Sequence, residues 1–189
     1  MQTATKNPDE ITIASVVPRA QLVFDAATIS YALDVLANKL ETHLKDLHPL
    51  MLCVMNGGII FTGHLVTRLE FDLDLDYIHA TRYRNQTKGG DVLNWLAEPH
   101  TSLQDRTVVI LDDILDEGIT LDEIIKYCNA KGAKQVISVV LLRKIHQRCI
   151  KGVDCDYTAL EVDDRYVFGF GMDYKGGLRH LNGIYAVDE

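Results

Sequence analysis

Residues 108–120 read Val-Val-Ile-Leu-Asp-Asp-Ile-Leu-Asp-Glu-Gly-Ile-Thr, and four of the six positions from Asp112 to Glu117 are acidic. They stand between an apolar run, 107–111, that reads as a buried strand, and an apolar stripe, Leu121, Ile124, Ile125 and Cys128, at helical spacing. A solvated acidic turn with Asp116 capping the helix would account for the same residue types. The adjacent pair Asp112-Asp113 directly after an apolar strand argues instead for a ligand, because open α/β sheets bind ligands beyond the carboxyl ends of their strands. Paired carboxylates accept hydrogen bonds from a vicinal diol and interact with a hydrated Mg²⁺. The turn Glu117-Gly118-Ile119-Thr120 opens a helix, so its N–H groups suit a phosphate. Asp116, between these features, has the chemistry of a general base. Diol, phosphate and metal side by side describe a 5-phosphoribosyl group.

The elements that must position this loop follow from periodicity. Ile29, Leu33, Leu36 and Leu40 mark one face of a helix over 28–40, with Asp25 as its N-cap. The apolar run 50–55 predicts a strand buried on both faces, ending at the turn Asn56-Gly57-Gly58. Residues 59–69 read as a helix and 75–80 as a second strand. The helix after the acidic loop ends at Gly132, and 135–142 is a further β-rich run. Strands alternating with helices imply parallel βαβ units. The expected fold is α/β: a parallel twisted sheet flanked by helices in a single domain over 1–189, with a small hood. A polar segment with two glycines at about 82–105 reads as a flexible flap with a short strand or turn, with Trp95 as a packing anchor or subunit contact. Residues 157–189 read as a C-terminal hood segment, and 1–10 as a loose end.

Bulk properties narrow the function. The chain has 189 residues, enough for one domain that buries roughly 70% of its unfolded surface without staples. Its net charge of −8 argues against a nucleic-acid footprint. No apolar stretch is long enough for a membrane span. Cys53, Cys128, Cys149 and Cys155 show no CxxC spacing and read as reduced thiols, which makes the cytoplasm the expected compartment. His43, His48, His64, His79, His100, His146 and His180 show no metal-site spacing and read as structural or surface residues. No GxGxxG follows a predicted strand, so a dinucleotide binder is disfavoured.

The stretch 108–120 resembles the phosphoribosyl-pyrophosphate motif of type I phosphoribosyltransferases, and the resemblance to the hypoxanthine-guanine branch extends over most of the chain. It implies that Asp112 and Asp113 contact the ribose hydroxyls, that Asp116 is the general base near purine N7, and that Glu117, Gly118, Ile119 and Thr120 cradle the 5′-phosphate. It implies a pyrophosphate loop at Asn56-Gly57, a Lys144 that reads the purine O6, a Tyr166 that stacks on the base, and a Val167 whose backbone reads the base edge. Asp173, with Asp112 and Asp113, is implied in Mg²⁺ binding, Arg179 in pyrophosphate binding, and Arg82-Tyr83 in the closing flap. The implied activity is purine salvage, a glycosyltransferase reaction between phosphoribosyl pyrophosphate and a 6-oxopurine (hypoxanthine or guanine), in a homodimer or homotetramer. Two alternatives stay open: transfer to another base such as xanthine or a pyrimidine, and a non-catalytic binder of phosphoribosyl pyrophosphate or nucleotides that regulates a partner.

Three positions depart from the family pattern. Glu117 stands where a Thr or Ser hydroxyl is usual, Asn56 replaces a Lys or Arg, and Arg82 replaces a flap Ser. A carboxylate 4 Å from a phosphate charge costs about 4 kcal/mol at an effective dielectric of 20, so the Glu117 side chain is expected to turn away toward a cation. Arg82 is the residue able to replace the charge missing at Asn56. Arg82→Ala is therefore expected to raise the Michaelis constant for phosphoribosyl pyrophosphate or lower turnover; initial-rate kinetics with neither changed would remove Arg82 from the site.

Overall fold

The computed structural model describes residues 11–83 and 92–187. A short helix α1 (Ile13–Val16) precedes strand β1 (Gln21–Asp25) and the long helix α2 (Ala26–Leu44). There follow β2 (Leu50–Met55), α3 (Gly58–Val66), β3 (Asp74–Tyr83), β4 (Val92–Ala97), β5 (Thr107–Leu115), α4 (Ile119–Ala130), β6 (Gln135–Ile145), β7 (Tyr157–Asp163), β8 (Tyr166–Phe168) and β9 (Gly183–Val187). Six strands form the main sheet in the order β4-β3-β2-β5-β6-β7, parallel except for the edge strand β4. β1, β9 and β8 make a small antiparallel sheet from segments near the two ends of the described chain.

Local chemistry explains the boundaries. The Asp25 carboxylate accepts the Thr28 N–H at 2.8 Å and starts α2. α4 ends in a Schellman turn: Gly132 takes φ +84°, its N–H donates to the Asn129 carbonyl, and Ala133 N–H donates to Cys128. Alternate residues of the central strands face opposite layers. Met51, Val109, Leu111, Val139 and Leu141 pack with α2 and α3 residues such as Leu33, Leu40, Phe61 and Leu65. Leu50, Leu52, Val54, Val108 and Ile110 pack with Leu121, Ile124 and Cys128 of α4. This two-sided burial is why the strands read as unbroken apolar runs. Ser138, buried in β6, donates its N–H (2.7 Å) and hydroxyl (2.8 Å) to the Asp156 carboxylate and so fixes the entry to β7.

Several boundaries and assignments differ from expectation. α3 stops at Val66 rather than 69, and β3 reaches from Asp74 to Tyr83. β5 continues four residues past Leu111, so Asp112 and Asp113 lie within a strand rather than a loop. Tyr157–Asp163 pairs in parallel with β6 at the edge of the main sheet, so the hood strands begin at Tyr166. The short strand expected within the flap is Val92–Ala97, at the sheet edge and paired with β3. The part of the flap at 84–91, the side chains of Arg82 and Tyr83, and the expected loose end at 1–10 lie outside the described residues. Trp95 packs on Tyr127 with ring centroids 4.8 Å apart, as an anchor of β4 onto α4. Among the described residues no helix is long and apolar enough to cross a membrane.

Phe61, fully buried between α3 and the sheet, ties the helix after the Asn56-Gly57 turn to the core. Phe61→Ala is expected to cost about 3–5 kcal/mol, read as a lower denaturation midpoint in urea with an unchanged slope.

Candidate functional site

At the carboxyl ends of β2, β3 and β5 lies a cleft of about 340 Å³. Its walls include Asn56 and Gly57 after β2, His79, Ala80 and Thr81 of β3, Asp112 to Asp116 of β5 and the turn beyond it, Gly118 and Thr120, and Asp173 and Arg179 from the segment before β9. The parallel register forces the convergence, since β2 stands between β3 and β5 and all three point the same way. Gly118 takes φ +82° and starts α4, whose first N–H groups have no partner inside the helix. A side chain there would be strained and would also meet Val153 at 2.9 Å, so the chain needs glycine.

Three basic side chains surround the Asp116 carboxylate. Lys144 Nζ donates to Oδ2 at 2.7 Å, His146 Nε2 approaches Oδ1 at 2.7 Å, and an Arg148 amino group lies 3.4 Å from Oδ1. Pairing of Ile114 with Leu142 and Leu115 with Arg143 sets β5 beside β6, so that Lys144 emerges level with Asp116. Burial pushes the Asp116 carboxyl up, but hydrogen bonds from Lys144 and His146, and the charges of Lys144 and Arg148, outweigh it and hold it below the usual carboxylate range. Arg148 also lies 3.5 Å from a Glu117 carboxylate oxygen, so Glu117 pairs with a cation. Ile150 N–H donates to the Glu117 carbonyl at 2.9 Å, closing the segment after β6 over the turn.

On the opposite wall, Arg179 donates to the Asp173 carboxylate at 2.8 Å and to the Gly171 carbonyl at 2.7 Å, while the other Asp173 oxygen accepts the Gly176 N–H at 2.7 Å. Burial pushes the Asp113 carboxyl up, partly offset by the hydrogen bond with Asp112 and the charge of Arg179. A Cβ on Gly57 would sit 1.9 Å from an Asp113 carboxylate oxygen, and one on Gly171 would sit 2.1 Å from the Gly57 carbonyl. Three segments distant in sequence therefore touch with no room for a side chain. The Met55–Asn56 peptide is cis.

The structure brings Asp112, Asp113, Asp116, Gly118, Thr120, Asn56, Gly57, Asp173 and Arg179 together in one cleft. It does not bring Glu117, Ile119, Lys144, Tyr166 or Val167 into that cleft's wall. Lys144 lines a second hollow of about 300 Å³ with His146 and Arg143, which meets the first at Leu115 and Asp116. Tyr166 packs edge-on against Tyr174, its hydroxyl donating to the Asp173 carbonyl at 3.3 Å, and the Val167 side chain belongs to the core. Sequence alone does not single out His79, Thr81, His146 or Arg148 for the site, yet all four lie at these two hollows or on Asp116. His146 in particular is not a bland structural histidine, since its ring lies on Asp116. Only the three-dimensional register gives the signal for it, because it stands thirty positions from its partner. Among the described residues no three His, Cys, Asp or Glu side chains converge into a ready-made metal cage. The carboxylate oxygens facing the cleft suit a hard cation such as Mg²⁺ that brings most of its ligands from water and phosphate.

Comparison with known proteins agrees with this geometry. The family model for the phosphoribosyl transferase domain matches residues 24–175. A hypoxanthine-guanine phosphoribosyltransferase of Bacillus subtilis (strain 168) is 29% identical over 146 residues, 77% of this chain and 81% of that protein. A hypoxanthine-guanine-xanthine phosphoribosyltransferase of Tritrichomonas foetus is 27% identical over 169 residues, 89% of this chain and 92% of the relative. A solved hypoxanthine-guanine-xanthine phosphoribosyltransferase superposes with a TM-score of 0.81 at 25% identity, covering 89% of this chain and 97% of the other.

The contact between Gly57 and Asp113 is testable without any ligand. Gly57→Ala is expected to cost about 1–3 kcal/mol through overpacking, and Asp113→Ala in the same chain to recover part of it. A double-mutant cycle by urea unfolding reads the coupling; simple additivity would mean that Asp113 is not the obstacle.

Proposed function

Because the chain belongs to the phosphoribosyltransferase domain family, we propose that it transfers the 5-phosphoribosyl group from phosphoribosyl pyrophosphate to N9 of a 6-oxopurine. Hypoxanthine and guanine are the proposed acceptors, giving IMP or GMP and pyrophosphate in purine salvage. The observation that carries this reading is the Asp116–Lys144 pair at the junction of the two hollows. A carboxylate able to take a proton from N7 stands against an ammonium able to donate to O6, beside a cleft suited to a phosphorylated sugar. Relatives named for hypoxanthine and guanine support the same base class.

In the proposed reaction Asp112 and Asp113 accept hydrogen bonds from the ribose hydroxyls. The turn from Glu117 to Thr120 and the start of α4 hold the 5′-phosphate through backbone N–H groups. Asn56, Gly57 and Arg179 hold the pyrophosphate, and Asp173 with Asp112 and Asp113 would hold the Mg²⁺ that this family typically uses with the substrate. Bound there, Mg²⁺ neutralises negative charge that grows on the leaving pyrophosphate. Purine entry turns the Lys144 ammonium from Asp116 to O6, which frees Oδ2 for the N7 proton. N9 attacks C1′, the bond from C1′ to pyrophosphate oxygen breaks with its electron pair leaving on pyrophosphate, and Asp116 takes the N7 proton. Removing Lys144 from the carboxylate leaves the burial of Asp116 less opposed, which makes it a stronger base at the moment of need. Tyr166 is proposed to stack on the base, the Val167 backbone to read its edge, and Arg82-Tyr83 to exclude water from the sugar. The four free thiols support a reducing, cytoplasmic setting, and a homodimer or homotetramer is the proposed assembly.

A parallel spectrophotometric assay with Mg²⁺-phosphoribosyl pyrophosphate and hypoxanthine, guanine, xanthine, adenine or orotate tests the reading. Turnover of hypoxanthine or guanine is expected, falling roughly 10²–10⁴-fold in Asp116→Asn. Turnover of only xanthine or orotate would move the acceptor to that base. Tight phosphoribosyl pyrophosphate binding without turnover of any base would replace the enzyme with a regulator.

A further inference from the structure

We propose that His146 is a positioning residue for Asp116, its neutral imidazole holding Oδ1 of the carboxylate so that Oδ2 meets the purine N7 proton once Lys144 has turned away. The inference rests on Asp116 being the general base of the reaction proposed above.

Three observations carry it. The His146 side chain is 5% exposed and its Nε2 lies 2.7 Å from Asp116 Oδ1, so the contact is short and sheltered from water. The Arg148 backbone N–H donates to His146 Nδ1 at 3.0 Å. A nitrogen that accepts carries no proton, so this geometry fits the neutral Nε2–H tautomer, with Nε2–H donating to Asp116. The two oxygens of Asp116 are also divided between donors of different kinds, with Lys144 on Oδ2 and His146 on Oδ1.

That division matters for a base. A cation bound to a carboxylate suppresses its basicity, whereas a neutral donor orients it and leaves it anionic. Lys144 is the cation, and it has the O6 of an incoming purine as an alternative partner. Arg148 is also cationic, but it stands farther off at 3.4 Å, is 49% exposed, and is shared with Asp164 and Glu117. When Lys144 leaves, His146 is the close, buried donor that keeps the carboxylate from rotating. A general base held within about half an ångström of its productive position keeps the rate that a loosely held one forfeits.

Two substitutions separate this role from mere support of the turn. A Gln side chain reaches as far as Nε2 and can donate to Asp116 while giving up the Nδ1 acceptor. An Asn side chain places an acceptor near Nδ1 for the Arg148 N–H but falls short of Asp116. With Mg²⁺-phosphoribosyl pyrophosphate and hypoxanthine, His146→Asn is expected to lower kcat about tenfold or more with the KM for phosphoribosyl pyrophosphate unchanged, and His146→Gln to restore kcat toward the wild-type value. The reverse order, equal losses in the two variants, or no loss in either would overturn the inference. Imidazole ¹⁵N NMR of the full chain reads the tautomer without turnover. A proton on Nε2 whose resonance moves in Asp116→Asn is expected; a proton on Nδ1 would overturn the inference even in a fully active enzyme. A wild-type chain inactive with every base would instead remove the parent reading.

Discussion

The register of β5 against β6 is the constraint from which the site follows. Thr107 pairs with Gln135, and the pairing carries through to Leu115 opposite Arg143. The next residues out, Asp116 and Lys144, therefore emerge level at the rim and meet at 2.7 Å. Shifting a strand by one residue would turn its side chains to the other face. The core forbids that shift, since Val109 and Leu111 face α2 and α3 while Val108 and Ile110 face α4, and all four are fully buried. Apolar packing on both faces thus fixes the placement of a charge pair that contributes little to the packing itself.

The same logic explains how a chain of net charge −8 keeps so many carboxylates in one cleft. Three of them, Asp113, Asp116 and Asp173, are answered by nearby cations. Arg179 pairs with Asp173 and lowers the electrostatic cost at Asp113, while Lys144, His146 and Arg148 answer Asp116. The two groups of donors come from the two flanks, Arg179 from the segment before β9 and the others from the end of β6 and the turn beyond it. Close approach of backbone at Gly57 and Gly171 is what lets the first flank reach the strand ends. Packing, glycine placement and charge pairing act on one small volume, and the cleft is the space left between them.

Much of this was legible because the sequence carries it locally. The apolar runs at 50–55 and 107–111, the stripe of α4 and the Asp25 cap each depend on neighbours within a turn or a strand, and each became the element it implied. Asp112, Asp113 and Asp116 were visible for the same reason. β7 was less legible: its residues Tyr157–Asp163 are only partly buried, so the edge strand lacks the unbroken apolar pattern of the centre. His146 and Arg148 were not legible at all. Their meaning comes from the register of β6 beside β5 and the bend just after it, which set them against Asp116 and Glu117, and no local spacing encodes it. Tyr166 was marked by its resemblance to a base-stacking aromatic, yet its ring lies against Tyr174, because β8 also has to close the small sheet's own cluster.

Glu117 and Arg148 are best understood together. A carboxylate in a turn proposed to receive a phosphate would cost about 4 kcal/mol if it stood 4 Å from that charge at an effective dielectric of 20. Here it stands 3.5 Å from a guanidinium nitrogen, and the same guanidinium reaches Asp116 and Asp164. Glu117 and Asp116 are adjacent in sequence, so one arginine on the covering segment answers both without any change in the strand register. The hydrogen bond from Ile150 N–H to the Glu117 carbonyl holds that segment in place whatever side chain Glu117 carries. The departure at Glu117 and the residues that follow β6 therefore form one electrostatic unit. A hydroxyl at 117 would release Arg148 toward Asp116 and Asp164, and that added cation beside Asp116 would lower its proton affinity.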